Sequence, residues 1–284
     1  MSKPVILCAD STCDLSEELV EKYKVHIMPL HITLDGQSYN DGVDIHPDDI
    51  YAVYAQKKVL PSTSATNMTE YEDFVRPFIE AGNEVVYVTL GSGLSTTHNN
   101  CRLAAEEMPG LYVVDSGNLS TGMGHVVIAA AEAIAAGASA AEAAEHARQV
   151  AGKVEASFVL DTLEFLYKGG RCSALAMMGA NMLKLKPCIE VNNADGTMSV
   201  GKKYRGSLLK CQLAYVRDRL AEQDKLDHRR IFFTHSGLDE ESRSAILSAI
   251  AETGPWEEIL VTQAGGTIAG HCGPQCMGVL FFRK

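Results

Sequence analysis

Four hydroxyl-rich segments stand where binding chemistry is easiest to build. Asp10-Ser11-Thr12, Gly91-Ser92-Gly93-Leu94-Ser95-Thr96-Thr97 and Asp115-Ser116-Gly117 each follow a short apolar run. Pro61-Ser62-Thr63-Ser64-Ala65-Thr66 forms a polar loop opening toward a helical pattern near Thr69. Parallel sheets bind ligands beyond the carboxyl ends of their strands, which is where such segments would lie. The Gly91 to Thr97 loop runs into a helix, so its backbone N–H groups and the positive end of the helix dipole can hold an anion, with Ser92, Ser95 and Thr96 adding hydroxyl donors. The same hydroxyls would equally serve as helix caps. The loop has no Walker A lysine and does not fit G-x-G-x-x-G, so no motif supports nucleotide binding.

The second half adds a histidine and an arginine. Gly270-His271-Cys272-Gly273-Pro274 sets an imidazole in a glycine-flanked turn, where it can be aimed at a ligand and can carry a proton near neutral pH. Cys272 and Cys276 beside it lack a second ligand pair at a familiar spacing, so no metal is expected. Tyr167-Lys168-Gly169-Gly170-Arg171 places a guanidinium after two glycines, either to bridge carboxylates within the fold or to offer a planar fork to phosphate or a partner. The methionine-rich run Ala174 to Leu183 suits a core helix and also a wall for an alkyl chain. Ser95, His271 and an acid such as Asp10 or Asp115 would together have the composition of a hydrolase or acyl transferase, but there is no G-x-S-x-G elbow.

These groups must be carried by regular elements, and the periodicity says which. Val5 to Ala9, Val25 to Leu34, Val85 to Leu90 and Leu111 to Val114 read as strands with helices between most of them, which implies right-handed crossovers and a mainly parallel sheet. Asp14 with Glu17 and Thr69 with Glu72 have the spacing of helix-start caps, and Asp35-Gly36 signals a two-residue hairpin. Gly124 to Val154 reads as two alanine-rich helices broken at Gly137-Ala138-Ser139, the second capped by Ser139 with Glu142. The second half mixes strands at Ala156 to Leu160, Ile231 to Thr234, Ile259 to Val261 and Gly278 to Phe282 with helices over Leu163 to Leu185, Ser207 to Gln223 and Asp239 to Thr253, and a hairpin around Asp195-Gly196. The expected architecture is α/β in two domains, a mainly parallel unit over 1–155 and a mixed-sheet unit over 156–284.

Bulk properties narrow the partners. With 284 residues and a net charge of -11, the average surface repels polyphosphate, which excludes a nucleic-acid footprint and disfavours anionic membranes. The eight cysteines show no C-x-x-C pairs and read as reduced thiols. Neither a signal peptide nor an apolar run of membrane-span length is apparent, so a soluble cytoplasmic protein without stable membrane insertion is expected.

Taken in order, Ala9-Asp10-Ser11-Thr12-Cys13-Asp14-Leu15, Thr63-Ser64, Gly93-Leu94-Ser95-Thr96-Thr97, Val114-Asp115-Ser116, Leu166-Tyr167-Lys168-Gly169-Gly170-Arg171 and His271-Cys272-Gly273-Pro274 resemble the DegV family from end to end. The resemblance implies a non-catalytic carrier that holds a long-chain fatty acid with its tail in the second domain and its carboxylate at the domain interface. It further implies that Thr63 and Ser95 bond the carboxylate, flanked by Ser64, Ser92 and Thr96, and that His271 meets it. Arg171 would engage a separate fatty acid kinase that makes acyl phosphate with ATP, and no cofactor beyond the bound acid is implied. The chain departs from the family pattern at Ala65-Thr66-Asn67, where Gln-Pro-Ser is common, and at Thr96, where Gly is common.

Overall fold

The computed structural model describes residues 3–172 and 185–284. The first half carries strands β1 (Val5–Asp10), β2 (Val25–Met28), β3 (His31–Leu34), β4 (Gln37–Asn40), β5 (Ser62–Ser64), β6 (Glu84–Thr89) and β7 (Leu111–Asp115). Its helices are α1 (Glu17–Tyr23), α2 (Pro47–Lys57), α3 (Met68–Glu80), α4 (Thr97–Glu107), α5 (Ser120–Ala135) and α6 (Ala140–Ala151). A parallel sheet of order β2-β1-β6-β7 forms the centre. Covering by helices on both faces explains why Val85, Val86, Tyr87 and Val88 are all buried rather than alternating. One face packs on α3 and α4 through Tyr71, Val75 and Cys101; the other packs on α5 and α6 through Met123, Val127 and Ala144.

The run from Val25 to Leu34 is two strands in two sheets. Pro29 removes a ladder donor at the break. Beyond it Leu30 N donates to Ser11 Oγ at 3.1 Å, and β3 turns away to join the antiparallel sheet β4-β3-β5. Asp35 (φ 51°) and Gly36 (φ 80°) supply the positive backbone angles of the β3–β4 hairpin. The caps of α1 and α3 also differ from the expected ones. Ser16 accepts from Leu19 N, and Asn67 with Glu70 forms the reciprocal box, so both helices start from a residue that sequence spacing alone left in competition with its neighbours.

The second half carries β8 (Val154–Val159), α7 (Glu164–Gly169), β9 (Leu185–Val191), β10 (Met198–Arg205), α8 (Leu208–Arg219), β11 (Leu226–His235), α9 (Glu240–Ala251), β12 (Glu258–Gln263), α10 (Gly266–Cys272) and β13 (Met277–Arg283). The strands form one mixed sheet of order β10-β9-β8-β13-β11-β12, in which only β11 and β12 run parallel. β11 starts five residues before the expected Ile231 because an irregularity between Asp227 and Ile231 breaks its alternation. The methionine-rich run Ala174 to Leu183 lies outside the described residues.

The two sheets share α5. Every residue from Ser120 to Ala131 is buried, and the core around this helix includes Leu7 and Val86 of the parallel sheet together with Phe232, Leu280 and Phe282 of the mixed one. A helix buried on all sides must be apolar all round, which is why Gly124 to Ala136 shows no polar stripe. Glu132 lies exposed near the end of the helix, and His125 is its buried polar exception. Its Nε2 pairs with Leu280 O at 2.9 Å, and burial pulls its pKa down to about 4, so it is a neutral tie between helix and sheet. Among the described residues, no helix is long and apolar enough to cross a membrane.

Candidate functional site

The segments beyond β2 and β6, the end of β5, the first residues of α5, α10 and the mixed sheet enclose a cleft. It holds about 960 Å3 of space not filled by protein atoms, part of it open to solvent. Thr63, Ser64, Ser95, Arg171 and His271 are among its polar lining residues. Apolar side chains such as Leu90, Leu94, Phe158, Leu166, Ile268 and Leu280 supply much of the rest. Ser95 and Arg171 also border a second, more open cleft with Ser92, Thr96 and Asn99, where Ser92 and Thr96 are exposed.

Thr63 sits on a strand, opposite Ile32 of β3, rather than in a loop. Its Oγ1 lies 2.9 Å from His271 Nε2, a pair 208 residues apart in sequence. His271 occupies the last turn of α10 rather than a free turn. Of the two flanking glycines, Gly273 (φ 75°) ends the helix in the turn expected of it, while Gly270 serves close packing: a Cβ there would come within 2.8 Å of Pro61 Cγ, as one at Gly266 would come within 2.9 Å of Ile32 Cδ1. Burial and, secondarily, the Arg171 charge pull the His271 pKa down to about 4, so near neutral pH the unliganded imidazole is neutral, contrary to the expected proton carrier. Its Nδ1 is buried without a hydrogen-bond partner among the described residues.

The Gly169-Gly170-Arg171 motif has a geometric explanation. A Cβ on Gly169 would overlap His271 Nδ1, so glycine is what lets the end of α7 lie against the imidazole. Gly170 ends α7 in the left-handed conformation (φ 70°). Arg171 then donates to Gly169 O at 2.7 Å rather than to a carboxylate, and its exposed guanidinium borders both clefts.

The Gly91 to Thr97 loop departs from the expected anion cup. Gly91 N donates to Asn118 O, Ser92 N to Asp115 Oδ1, Gly93 N to Asp195 O, Leu94 N to Gly91 O and Thr97 N to Ser95 Oγ. Those amides hold the loop itself, which leaves the N–H groups of Ser95 and Thr96 and the side-chain hydroxyls for a ligand. Ser95 Oγ is 2.7 Å from Thr97 Oγ1 and caps the start of α4. The altered Ala65-Thr66-Asn67 segment is held at its middle and last residues: Thr66 O accepts from Asn100 Nδ2 at 2.8 Å, and Asn67 caps α3.

No nucleophile-base-acid triad is assembled from the residues considered for one. Asp10 is fully buried, accepting from Tyr71 and Tyr87 hydroxyls at 3.0 and 2.9 Å and from Leu90 N at 2.8 Å, and desolvation pushes its pKa up to about 6. Asp115 accepts from Ser92 N and Gly117 N. Ser95 bonds Thr97, and His271 bonds Thr63. The acids therefore brace strand ends and loops.

Sequence reasoning missed a polar cluster behind α10. Asp14, read as a helix cap, adopts φ 50° and is buried; its carboxylate accepts from Ser120 Oγ at 2.5 Å and from Gly265 N at 2.8 Å. Burial, reinforced by the nearby Asp41 charge, pushes its pKa up to about 8. Ser120 and Thr267 line the main cleft and were also unmarked. Had α10 been anticipated as a helix, the four-residue spacing of Thr267 and His271 would have placed both on one face.

Comparison with known proteins follows from this geometry. A family model described as "Uncharacterised protein, DegV family" matches residues 5–284. A DegV domain-containing protein of Caldanaerobacter subterraneus subsp. tengcongensis is 28% identical, with 99% of each chain covered. A DegV family protein from Thermus thermophilus, described for its fatty acid binding, superposes with a TM-score of 0.90 at 28% identity over 100% of both chains. A fatty acid (stearic acid)-binding protein from Eubacterium ventriosum superposes with a TM-score of 0.85 at 26% identity, over 100% of this chain and 99% of the other.

Proposed function

The chain belongs to the DegV family, and on that premise we propose that it binds a long-chain fatty acid and presents the carboxylate to a separate ATP-dependent fatty acid kinase in the cytoplasm, without catalysing a reaction itself. The observation that carries this reading is the Thr63–His271 pair lining a largely apolar cleft. The fatty acids named for two structural relatives support it.

In this reading residues 1–155 supply the headgroup loops and residues 156–284 enclose the chain. Thr63, Ser64 and Ser95 donate to the carboxylate, and Ser92 and Thr96 flank its exit through the open cleft. His271, neutral when the site is empty, gains a proton or donates its N–H once an anion arrives, because a neighbouring negative charge favours the imidazolium. Burying about fifteen methylenes contributes on the order of 12 kcal/mol before entropic losses, so the tail dominates affinity and the polar groups set orientation. Arg171 stands exposed at the border of both clefts, where an incoming partner or phosphoryl group would meet it.

Mass spectrometry of organic extracts from the purified protein tests the binding step. A stoichiometric long-chain acid is expected; a protein that carries none and takes none up after incubation with palmitate would overturn the reading. Acyl phosphate formation by a fatty acid kinase only in the presence of this protein tests the presentation step.

A further inference from the structure

The lining of the cleft includes a buried hydroxyl with no hydrogen-bond partner among the described residues. Thr267 lies one helical turn before His271 on α10, both line the cleft, and residues four apart project from the same face of a helix. Thr267 is 4% exposed, and its Oγ1 has no hydrogen-bond partner among the described residues. A helical threonine can satisfy its hydroxyl on the carbonyl four residues back, and this one does not. Burying a hydroxyl without a partner is unfavourable, whereas valine would fill the same volume without that cost.

Resting on the fatty-acid reading of this site, we infer that Thr267 makes the cleft selective for fatty acids bearing a hydroxyl close to the carboxyl group, with 3-hydroxy acids as the class it fits. Thr63 and His271 fix where the carboxylate sits. Side chains four apart on a helix have their Cβ atoms about 5–6 Å from each other. With the carboxylate seated on Thr63 and His271, Thr267 is left to a second polar group a few ångströms away, and an oxygen on the third carbon, two carbon–carbon bonds from the carboxyl carbon, lies at about that reach. An unsubstituted chain presents a methylene there. A hydroxyl in the middle of the chain lies too far along the cleft.

The test compares palmitate with 3-hydroxypalmitate, by displacement of a fluorescent fatty acid from delipidated wild-type protein and from Thr267→Val and Thr267→Ser. Wild type is expected to bind the 3-hydroxy acid up to about ten-fold more tightly, the range of one net hydrogen bond. Thr267→Val is expected to invert the order, because the ligand hydroxyl then enters the cleft unpaired, while Thr267→Ser retains the wild-type order. Equal affinities in wild type, or a preference that survives in Thr267→Val, would overturn the assignment. Binding of palmitate but not of 3-hydroxypalmitate would overturn the assignment alone, and failure of both acids to bind wild type would overturn it together with the fatty-acid reading. The melting temperature of ligand-free Thr267→Val is a second check: it should match or exceed wild type, and a marked drop would mean that the hydroxyl serves the protein's own structure.

Discussion

Replacing Gly169 by alanine tests whether the Gly-Gly-Arg motif acts through His271. The added methyl would overlap Nδ1 of the imidazole, and the ring can yield only by moving away from its 2.9 Å contact with Thr63 or by pushing α7 outward. Forcing a methyl into a packed site costs about 1–3 kcal/mol of stability, so the protein should fold with a lowered melting temperature. Its effect on binding should be larger than that of a mere packing defect elsewhere. Loss of one hydrogen bond to a charged headgroup, about 1.5–3 kcal/mol, weakens fatty acid binding about ten- to a hundred-fold. The control is Gly170→Ala, one residue on, where nothing lies within 4 Å of the new methyl and the only penalty is the left-handed backbone (φ 70°). Both variants should lose stability, but only Gly169→Ala should lose affinity, as measured by displacement of a fluorescent fatty acid. Equal losses in the two variants, or a Gly169→Ala protein with wild-type affinity, would refute the argument that this glycine exists to seat the histidine.

Thr63→Val removes the hydroxyl partner of His271 at nearly constant volume; fatty acid affinity should fall about ten-fold in the same displacement assay, and unchanged affinity would remove Thr63 from the headgroup site. The His271 imidazole should titrate near pH 4 in the ligand-free protein, followed by its ring proton resonances, and its midpoint should rise when a fatty acid is bound; a free-protein midpoint near the ordinary 6.5 would contradict the buried, neutral ring. Asp14 holds its proton more tightly folded (about 8) than unfolded (about 3.8), so its contribution is fully present below pH 4 and is lost as pH rises through 8. Asp10, raised to about 6, acts in the same direction over the lower part of that range. Asp14→Asn, which tolerates the left-handed backbone, should therefore flatten the fall in unfolding free energy between pH 4 and 8 in urea titrations, and an unchanged slope would show that the buried acid is not what the pH dependence reports.

What the sequence disclosed follows the reach of each signal. The β-branched runs at Val5 and Val85 and the capped break at Ser139 are local, and they mark elements that the structure contains. Pro29 splits a run whose hydrophobicity is continuous, and the strand to which Thr63 belongs is only three residues long, so neither could be read from a period. α10 was hidden because two of its seven residues are glycines that mimic a turn, and their packing reason lies on Ile32 and Pro61, more than 200 positions away. The pairing of Thr63 with His271 is of the same kind. Residue types and their order pointed to a polar site; the tertiary contacts decided which hydroxyls face it and which amides are already taken.

That last distinction bears on how a carboxylate could be handed on. An anion seated on several free backbone amides at a helix start is strongly stabilised and correspondingly poor as a nucleophile. Here five amides of the Gly91 to Thr97 loop are bonded within the protein, so the loop is held in shape before any ligand arrives and pays little ordering entropy on binding. The wall of apolar side chains supplies the affinity that the headgroup contacts do not. In the proposed function the acyl chain and the headgroup are held by different parts of one cleft, and the Gly169→Ala and Thr63→Val variants should separate them: both weaken the headgroup end while leaving the apolar wall, and hence residual binding of the acyl chain, in place.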